Sequence, residues 1–357
     1  MRISAVTAVH FPVPLIEPFR ISRASVDTTR AALVRVRVED GTRSAEGLGE
    51  AALPLGSVEG PTDLLADVAA ATPRLLGGEV ATLPAITALL DAAEPMLTTA
   101  RAGLCSAVLD AVARLSGQPL YRFFGATKPL ELVTDITLPI ADPDHLAALA
   151  VGYRSRGFES FKVKVGASLK DDIRCLTRLA AAVPSARIRM DANMGFNGSD
   201  AVSIVQAARA LGLQVECFEQ PCGMRDFEGM RQVRTTGVPV VADESVRDLA
   251  DLALLAAEEA VDGINLKLIK MGGADRCLQI GRAAQAKGLG LMVGAMIESR
   301  LGLTAMAHVA VALGGVQWVD LDTAFLLASD PWLGGMVAEG ATLRLPDSAG
   351  LGMSLAD

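Results

Sequence analysis

Eight short apolar runs, each carrying or closely followed by charged or polar residues, recur along the chain: LVTDITLP, FESFKVKVG, ARIRMDAN, QVECFEQP, VPVVADES, GINLKLIK, GLGLMVGAM and VQWVDLD. They start near residue 132 and follow one another at roughly 24 to 30 residues, most of them separated by segments with helical apolar spacing. This alternation predicts βα units around a parallel sheet. Eight such units are the number that closes a barrel. An open, doubly wound sheet is the alternative, but no Gly-rich dinucleotide loop follows the first strand. The expected fold class is therefore α/β, a (β/α)-barrel of the TIM type.

The part before residue 132 has another rhythm. Val34, Val36 and Val38 alternate with Arg35, Arg37 and Glu39, and Asp40-Gly41 supplies a hairpin turn. From Pro61 to Ser116 the pattern is helical; AGLCSAVLDAVARL (102–115) has apolar residues at helical spacing, with Gly117 as a stop. Strands followed by helices describe a small α+β unit. The expected organisation is this unit over residues 1–120, a barrel over 121–324, and a segment 325–357 that returns to the N-terminal unit.

Composition excludes several function classes. The 41 acidic and 33 basic residues give a formal charge of −8, and no Lys/Arg run offers a nucleic-acid surface. Five scattered cysteines lack zinc spacing and suit a reducing, cytoplasmic setting. Pro12, Pro14 and Pro18 break the N-terminal apolar stretch, and no apolar run has the length of a membrane span. The three histidines lie outside the strand-end series.

Barrel enzymes carry their chemistry at the C-terminal ends of the strands. Here Lys164, Asp191, Glu219, Asp243 and Lys267 follow one another at 27, 28, 24 and 24 residues, one βα unit each. Asp191, Glu219 and Asp243 come from neighbouring strands and converge. Three confined carboxylates repel unless a cation joins them, and oxygen donors without His or Cys suit Mg²⁺. Lys164 and Lys267 come from the second and sixth strands, opposite each other in an eight-stranded barrel. A lysine on each face of a bound carbon suits removal of a proton from one side and its return on the other. FKVKVG also places Lys162 on the same strand face as Lys164. A neighbouring ammonium and partial burial bring a lysine toward the range that general-base work needs, which gives Lys162 a role toward Lys164; an ion-paired structural lysine is the alternative. A divalent ion on a substrate carboxylate would stabilise the enediolate formed when the adjacent proton leaves.

With these residues in place, the chain resembles the enolase superfamily, muconate-lactonizing subgroup. The resemblance covers almost the whole length: the N-terminal unit, which it implies is an α+β capping domain over the barrel, then KVKVG, MDAN, ECFEQP, VADES and INLKLIKMGG. GAMIESRLGLTAMAHVA followed by WVDLDT is similar to the dipeptide epimerases, including L-Ala-D/L-Glu epimerases. The resemblance implies one Mg²⁺ per subunit on Asp191, Glu219 and Asp243, with Lys164 and Lys267 as the acid/base pair and Lys162 supporting Lys164. It implies that Asn193 and Glu244 stand behind the ligands, and that Asp320 and Asp322 bind the ammonium group of a dipeptide. Glu298 and Arg23 are further expected substrate contacts. Arg20 or Arg23, in the PFRISRAS loop (18–25), would pair with an acidic substrate side chain, or else remain a solvated loop arginine. The implied reaction is epimerisation at the α-carbon next to the dipeptide's free carboxylate. N-acylamino acid racemisation, cycloisomerisation and dehydration are the alternatives within the subgroup. The implied partner is a small-molecule dipeptide, with no nucleic acid and no membrane, and with a homo-oligomer as one possible assembly.

Overall fold

The structure, a computed structural model, describes residues 1–21 and 24–356. The N-terminal unit begins with β1 (Arg2–His10), β2 (Pro14–Ile21), β3 (Ala24–Thr28), β4 (Ala31–Asp40) and β5 (Arg43–Ala52). β1, β4 and β5 form an antiparallel sheet, and β2 pairs with β3. The expected β4–β5 hairpin forms: Asp40 pairs with Arg43, and Gly41 takes φ +62°, which suits a residue without Cβ. Val34, Val36 and Val38 are buried, as their alternation requires.

Helices α1 (Pro61–Leu75), α2 (Leu83–Ala92), α3 (Thr98–Leu115) and α4 (Leu120–Phe123) follow. α3 is buried along nearly its whole length. A Cβ on Gly47 would lie 2.1 Å from the Ala107 carbonyl, so this glycine lets β5 approach α3 backbone to backbone. Near the N-terminus of α3, Arg101 crosses to the outer helices of the C-terminal unit and pairs with Asp275 at 2.9 Å.

After β6 (Leu132–Val133), an eight-stranded parallel sheet takes the chain in order: β7 (Ile136–Leu138), β8 (Ser160–Lys164), β9 (Arg187–Asp191), β10 (Gln214–Glu219), β11 (Val240–Ala242), β12 (Gly263–Leu266), β13 (Gly290–Gly294) and β14 (Trp318–Asp320). Between them lie α5 (Pro143–Ser155), α6 (Leu169–Ala182), α7 (Gly198–Ala210), α8 (Phe227–Arg234), α9 (Leu249–Ala257), α10 (Leu268–Met271), α11 (Ala274–Ala286) and α12 (Arg300–Leu313). A parallel bridge from Thr134 to Val319 brings the first and last strands together, so the sheet nearly closes and the open-sheet alternative falls away. The run LVTDITLP is divided. Its first two residues leave the barrel as β6 and pair with β17 (Thr342–Arg344), the partner of β16 (Val337–Glu339). After β14 comes a 3₁₀ turn, Thr323–Leu326, where an eighth outer helix would stand. β15 (Trp332–Gly334) pairs with β18 (Met353–Leu355), and Leu351 N donates to Asp110 of α3 at 2.7 Å. No helix of the described residues is long and apolar enough to cross a membrane.

Candidate active site

Ladder register sets the strand ends side by side. Lys164 pairs with Asp191 across β8–β9, Asp191 with Glu219 across β9–β10, and Glu219 with Val241 across β10–β11. Asp243 stands just past the end of β11, and Lys267 just past β12. The backbone turns sharply at these ends. Asn193, Met194 and Gln220 all have positive φ, a conformation costing on the order of 1–3 kcal/mol per residue unless its surroundings hold it. Gln220 shows how it is held: its side-chain oxygen accepts from the N–H groups of Asp243 and Ser245, at 2.9 and 3.1 Å.

Four lysines gather on the three carboxylates. Lys162 Nζ lies 2.6 Å from Glu219, 2.8 Å from Asp320 and 3.2 Å from Asp191. Lys164 Nζ lies 2.6 Å from Asp191 and donates to Asn193 at 3.2 Å. Lys267 Nζ lies 2.8 Å from Asp243 and 3.6 Å from Glu219. Lys270, which the sequence reading did not single out, donates at 2.7 Å to the Asp243 carboxylate and to the Asn265 carbonyl. Asn265 in turn donates to Glu219 at 2.8 Å. Their signals were present: Asn265 precedes Lys267 by one strand repeat, and Lys270 follows it by one helical turn. Lys162 is thus anchored by three carboxylates, matching the ion-paired alternative for this residue.

Charge balance tunes the site. Burial alone would raise the Asp191 carboxyl, but Lys164 and Lys162 bring it down to about 2. Burial likewise opposes charge on Asp243, and Lys267 and Lys270 hold that carboxyl well below the usual range. Glu219 is raised by burial and by Asp191. Burial would lower Lys162, yet Asp320, Glu219 and Asp191 keep it well above the ordinary lysine range. Glu244, which accepts from Asn193 at 3.2 Å, is pushed up to about 7 by burial and then by Asp243 and Asp191.

Lys162, Lys164, Asn193, Asp243, Glu244, Lys267, Asp320 and Asp322 all line one cavity of about 1060 Å³ at the C-terminal mouth of the barrel. Phe19, Pro54 and Leu55 of the N-terminal unit complete its wall. Asp191 and Glu219, 0% and 1% exposed, sit in the barrel beside it. Glu298 is not among the lining residues. It accepts from Met296 N at 2.8 Å and lies against Gly302 at the start of α12, where burial and Glu50 push it up to about 8. That position sets it behind Met296 and Ile297, which do line the cavity. Arg23 lies outside the described residues, as does the side chain of Arg20.

The donor set of Asp191, Glu219 and Asp243 is all oxygen, anionic and buried, which fits a hard divalent cation. Among the described residues, however, the three carboxylates that each bring one oxygen within 4.8 Å of the others are Asp135, Asp320 and Asp322. Lys162 bridges Asp191 to Glu219, and Lys267 bridges Glu219 to Asp243, so ammonium groups sit between the oxygens of the first set. The second set suits a metal less well. Asp135 already pairs with Arg189 at 2.9 Å, and both Asp135 and Asp322 are pushed up, foremost by burial.

Comparisons with known proteins agree with this architecture. Residues 3–125 match the mandelate racemase / muconate lactonizing enzyme N-terminal domain, and residues 145–357 match the enolase C-terminal domain-like family. The chain is 39% identical to the aromatic dipeptide epimerase of Herpetosiphon aurantiacus, over 99% of each chain. The substrate-liganded L-Ala-D/L-Glu epimerase of Bacillus subtilis superposes with a TM-score of 0.94 at 31% identity, covering 100% of both chains. A dipeptide epimerase of Enterococcus faecalis, complexed with Mg and L-Leu-L-Tyr, superposes with a TM-score of 0.90 at 30% identity over 99% of this chain and 100% of that one. Matched from the capping sheet to the end of the barrel, the chain belongs to the mandelate racemase / muconate lactonizing enzyme family of the enolase superfamily.

Proposed function

We propose that the protein is a divalent-metal-dependent dipeptide epimerase, inverting the α-carbon next to the free carboxylate. One observation carries this reading: Lys164 on β8 and Lys267 beyond β12, from opposite sides of the barrel, open into the same cavity as Asp320 and Asp322. Asp320 and Asp322 take the dipeptide ammonium by charge-assisted hydrogen bonds. With the amine fixed there, the α-carbon of the second residue lies between the two lysines. One lysine takes the α-proton from its face, and the other delivers a proton to the opposite face. Asp191, Glu219 and Asp243 would hold one Mg²⁺ per subunit, which supplies Lewis-acid stabilisation of the charge that develops on the substrate carboxylate. Lys162 and Lys270 fix the carboxylates, and Asn193 and Glu244 orient the neighbourhood of Lys164. The relatives support this reading, since those described above are epimerases and one was solved with Mg and a dipeptide. The division into a cap (1–120), barrel (121–324) and returning tail, and a cytoplasmic location for five free cysteines, belong to the same proposal.

The alternative within the subgroup, racemisation of N-acylamino acids, brings no substrate ammonium to Asp320 and Asp322. Screening free and N-acetylated dipeptides in D₂O with Mg²⁺, with α-deuterium read by mass spectrometry, decides between them. Incorporation confined to free dipeptides is expected. Equal incorporation into both would contradict the reading, as would full turnover in chelator-treated enzyme.

A further inference from the structure

Closure of the barrel stacks a group of carboxylates that the two-lysine scheme leaves only partly explained. Asp135 N donates to the Val319 carbonyl at 3.1 Å, and Leu321 N donates to Thr134 Oγ1 at 2.9 Å. This register puts one oxygen each of Asp135, Asp320 and Asp322 within 4.8 Å of the others. The three are 0%, 5% and 0% exposed. Asp320 and Asp322 line the cavity, and Asp135 does not.

The cations facing them are few. From β9, Arg189 donates to Asp135 at 2.9 Å and also holds Glu216 at 2.9 Å. From β8, Lys162 donates to Asp320 at 2.8 Å while also holding Glu219 and Asp191. Lys164 and Lys267 bear on Asp320 by charge, and the hydroxyl of Tyr153 on α5, raised by burial and then by the charge of Asp322, stays a neutral phenol. Asp322 accepts from Thr137 N at 2.5 Å, but its Oδ1 has no partner; Asp135 Oδ1 has none either. Three carboxylates therefore meet two directly paired cations. A buried charge without a partner is costly.

We propose that Asp135 is a positioning residue of the amine subsite: its carboxylate, packed with Asp320 and Asp322, leaves the subsite one negative charge in surplus, so that a substrate ammonium enters as the missing cation and displaces a proton held there when the subsite is empty. The inference rests on the dipeptide reading and deepens it. The proton is taken up from solvent by the empty cluster and returned to solvent when the ammonium arrives, so charge balances at both stages. The direction of titration agrees. Asp322 is pushed up to about 6 by burial and then by Asp320, and burial holds Asp135 well above the usual carboxylate range despite Arg189. A neutral N-acyl group brings no charge and displaces no proton.

The test is isothermal titration calorimetry on the Mg²⁺-loaded enzyme with L-alanyl-α-aminoisobutyrate, a dipeptide whose α-carbon next to the free carboxylate carries no proton, so that it cannot be epimerised there. Buffers of different ionisation enthalpy at about pH 6.5, where the dipeptide amine is still charged, report the proton count. Net proton release is expected with the free amine and none with its N-acetyl form. Asp135→Asn, which keeps an oxygen for Arg189, is expected to bind the free dipeptide on the order of tenfold more weakly. Its proton release should be lost, with little change for the acetylated ligand. In turnover the same variant should raise KM with kcat nearly unchanged. Binding without proton release in the wild type would overturn the inference, and so would equal weakening of both ligands with release unchanged. Should the variant fail to fold, the wild-type comparison of free and acetylated ligands still decides the displaced proton. A wild type that binds neither ligand would instead contradict the dipeptide reading itself.

Discussion

Lys162 shows how much one side chain organises. It is 2% exposed and touches two of the candidate metal ligands and one of the ammonium-binding candidates. Removing it leaves three buried carboxylates short of a partner. Lys162→Met is therefore expected to destabilise the metal-free protein by about 3–5 kcal/mol, as breaking a buried ion network does; a denaturant titration followed by circular dichroism measures it, and a change below about 1 kcal/mol would show the lysine to be dispensable. The strand face of Lys162 was legible in FKVKVG because side chains alternate along a strand. Its partners were not, since Asp320 lies 158 residues away and meets it only when the barrel closes. Asp135 was hidden for the same reason, and the placement of Glu298 behind the cavity wall was not legible because a loop after a strand carries no fixed direction.

At the scale of elements, the repeat of apolar runs located all eight barrel strands, and their charged ends marked Lys164, Asp191, Glu219, Asp243 and Lys267 in order. Boundaries were less legible: LVTDITLP reads as one strand, yet it breaks between β6 and β7 because the C-terminal hairpin competes for its first residues. The contact of β5 with α12 was not legible at all. There Glu50 accepts from Ser299 N at 2.9 Å and from Gly302 N at 3.2 Å, and Glu298 lies beside it. Glu298 is raised by burial first and then by Glu50, from an ordinary 4.5 to about 8, with Lys267 opposing weakly. A carboxyl raised in the folded state binds more protons there than in the unfolded chain. Its contribution is full below about pH 4.5 and is lost as the pH rises through about 8. Glu298→Gln cannot ionise, so the fall in melting temperature from pH 6 to pH 9 should be smaller in the variant than in the wild type. Identical slopes would show that Glu298 does not titrate in this window.

For the whole molecule, the closed barrel matters because it turns sequence distance into opposition. β8 and β12 stand four places apart in a ring of eight, so Lys164 and Lys267, the proposed acid/base pair, enter the cavity from opposite sides of the barrel. The N-terminal unit adds Phe19, Pro54 and Leu55 to the wall of the cavity into which both lysines open. The central claim is that each lysine serves one face, and proton NMR in D₂O on the two single variants tests it directly. With a dipeptide substrate, Lys267→Ala and Lys164→Ala should both lose net epimerisation. Each should still exchange the α-proton of one stereoisomer, a different one in each variant, with configuration retained. General-base removal contributes ~10²–10⁴-fold, so the missing exchange is readily seen. Exchange of both isomers by both variants would mean that one base serves both faces, and would contradict the account.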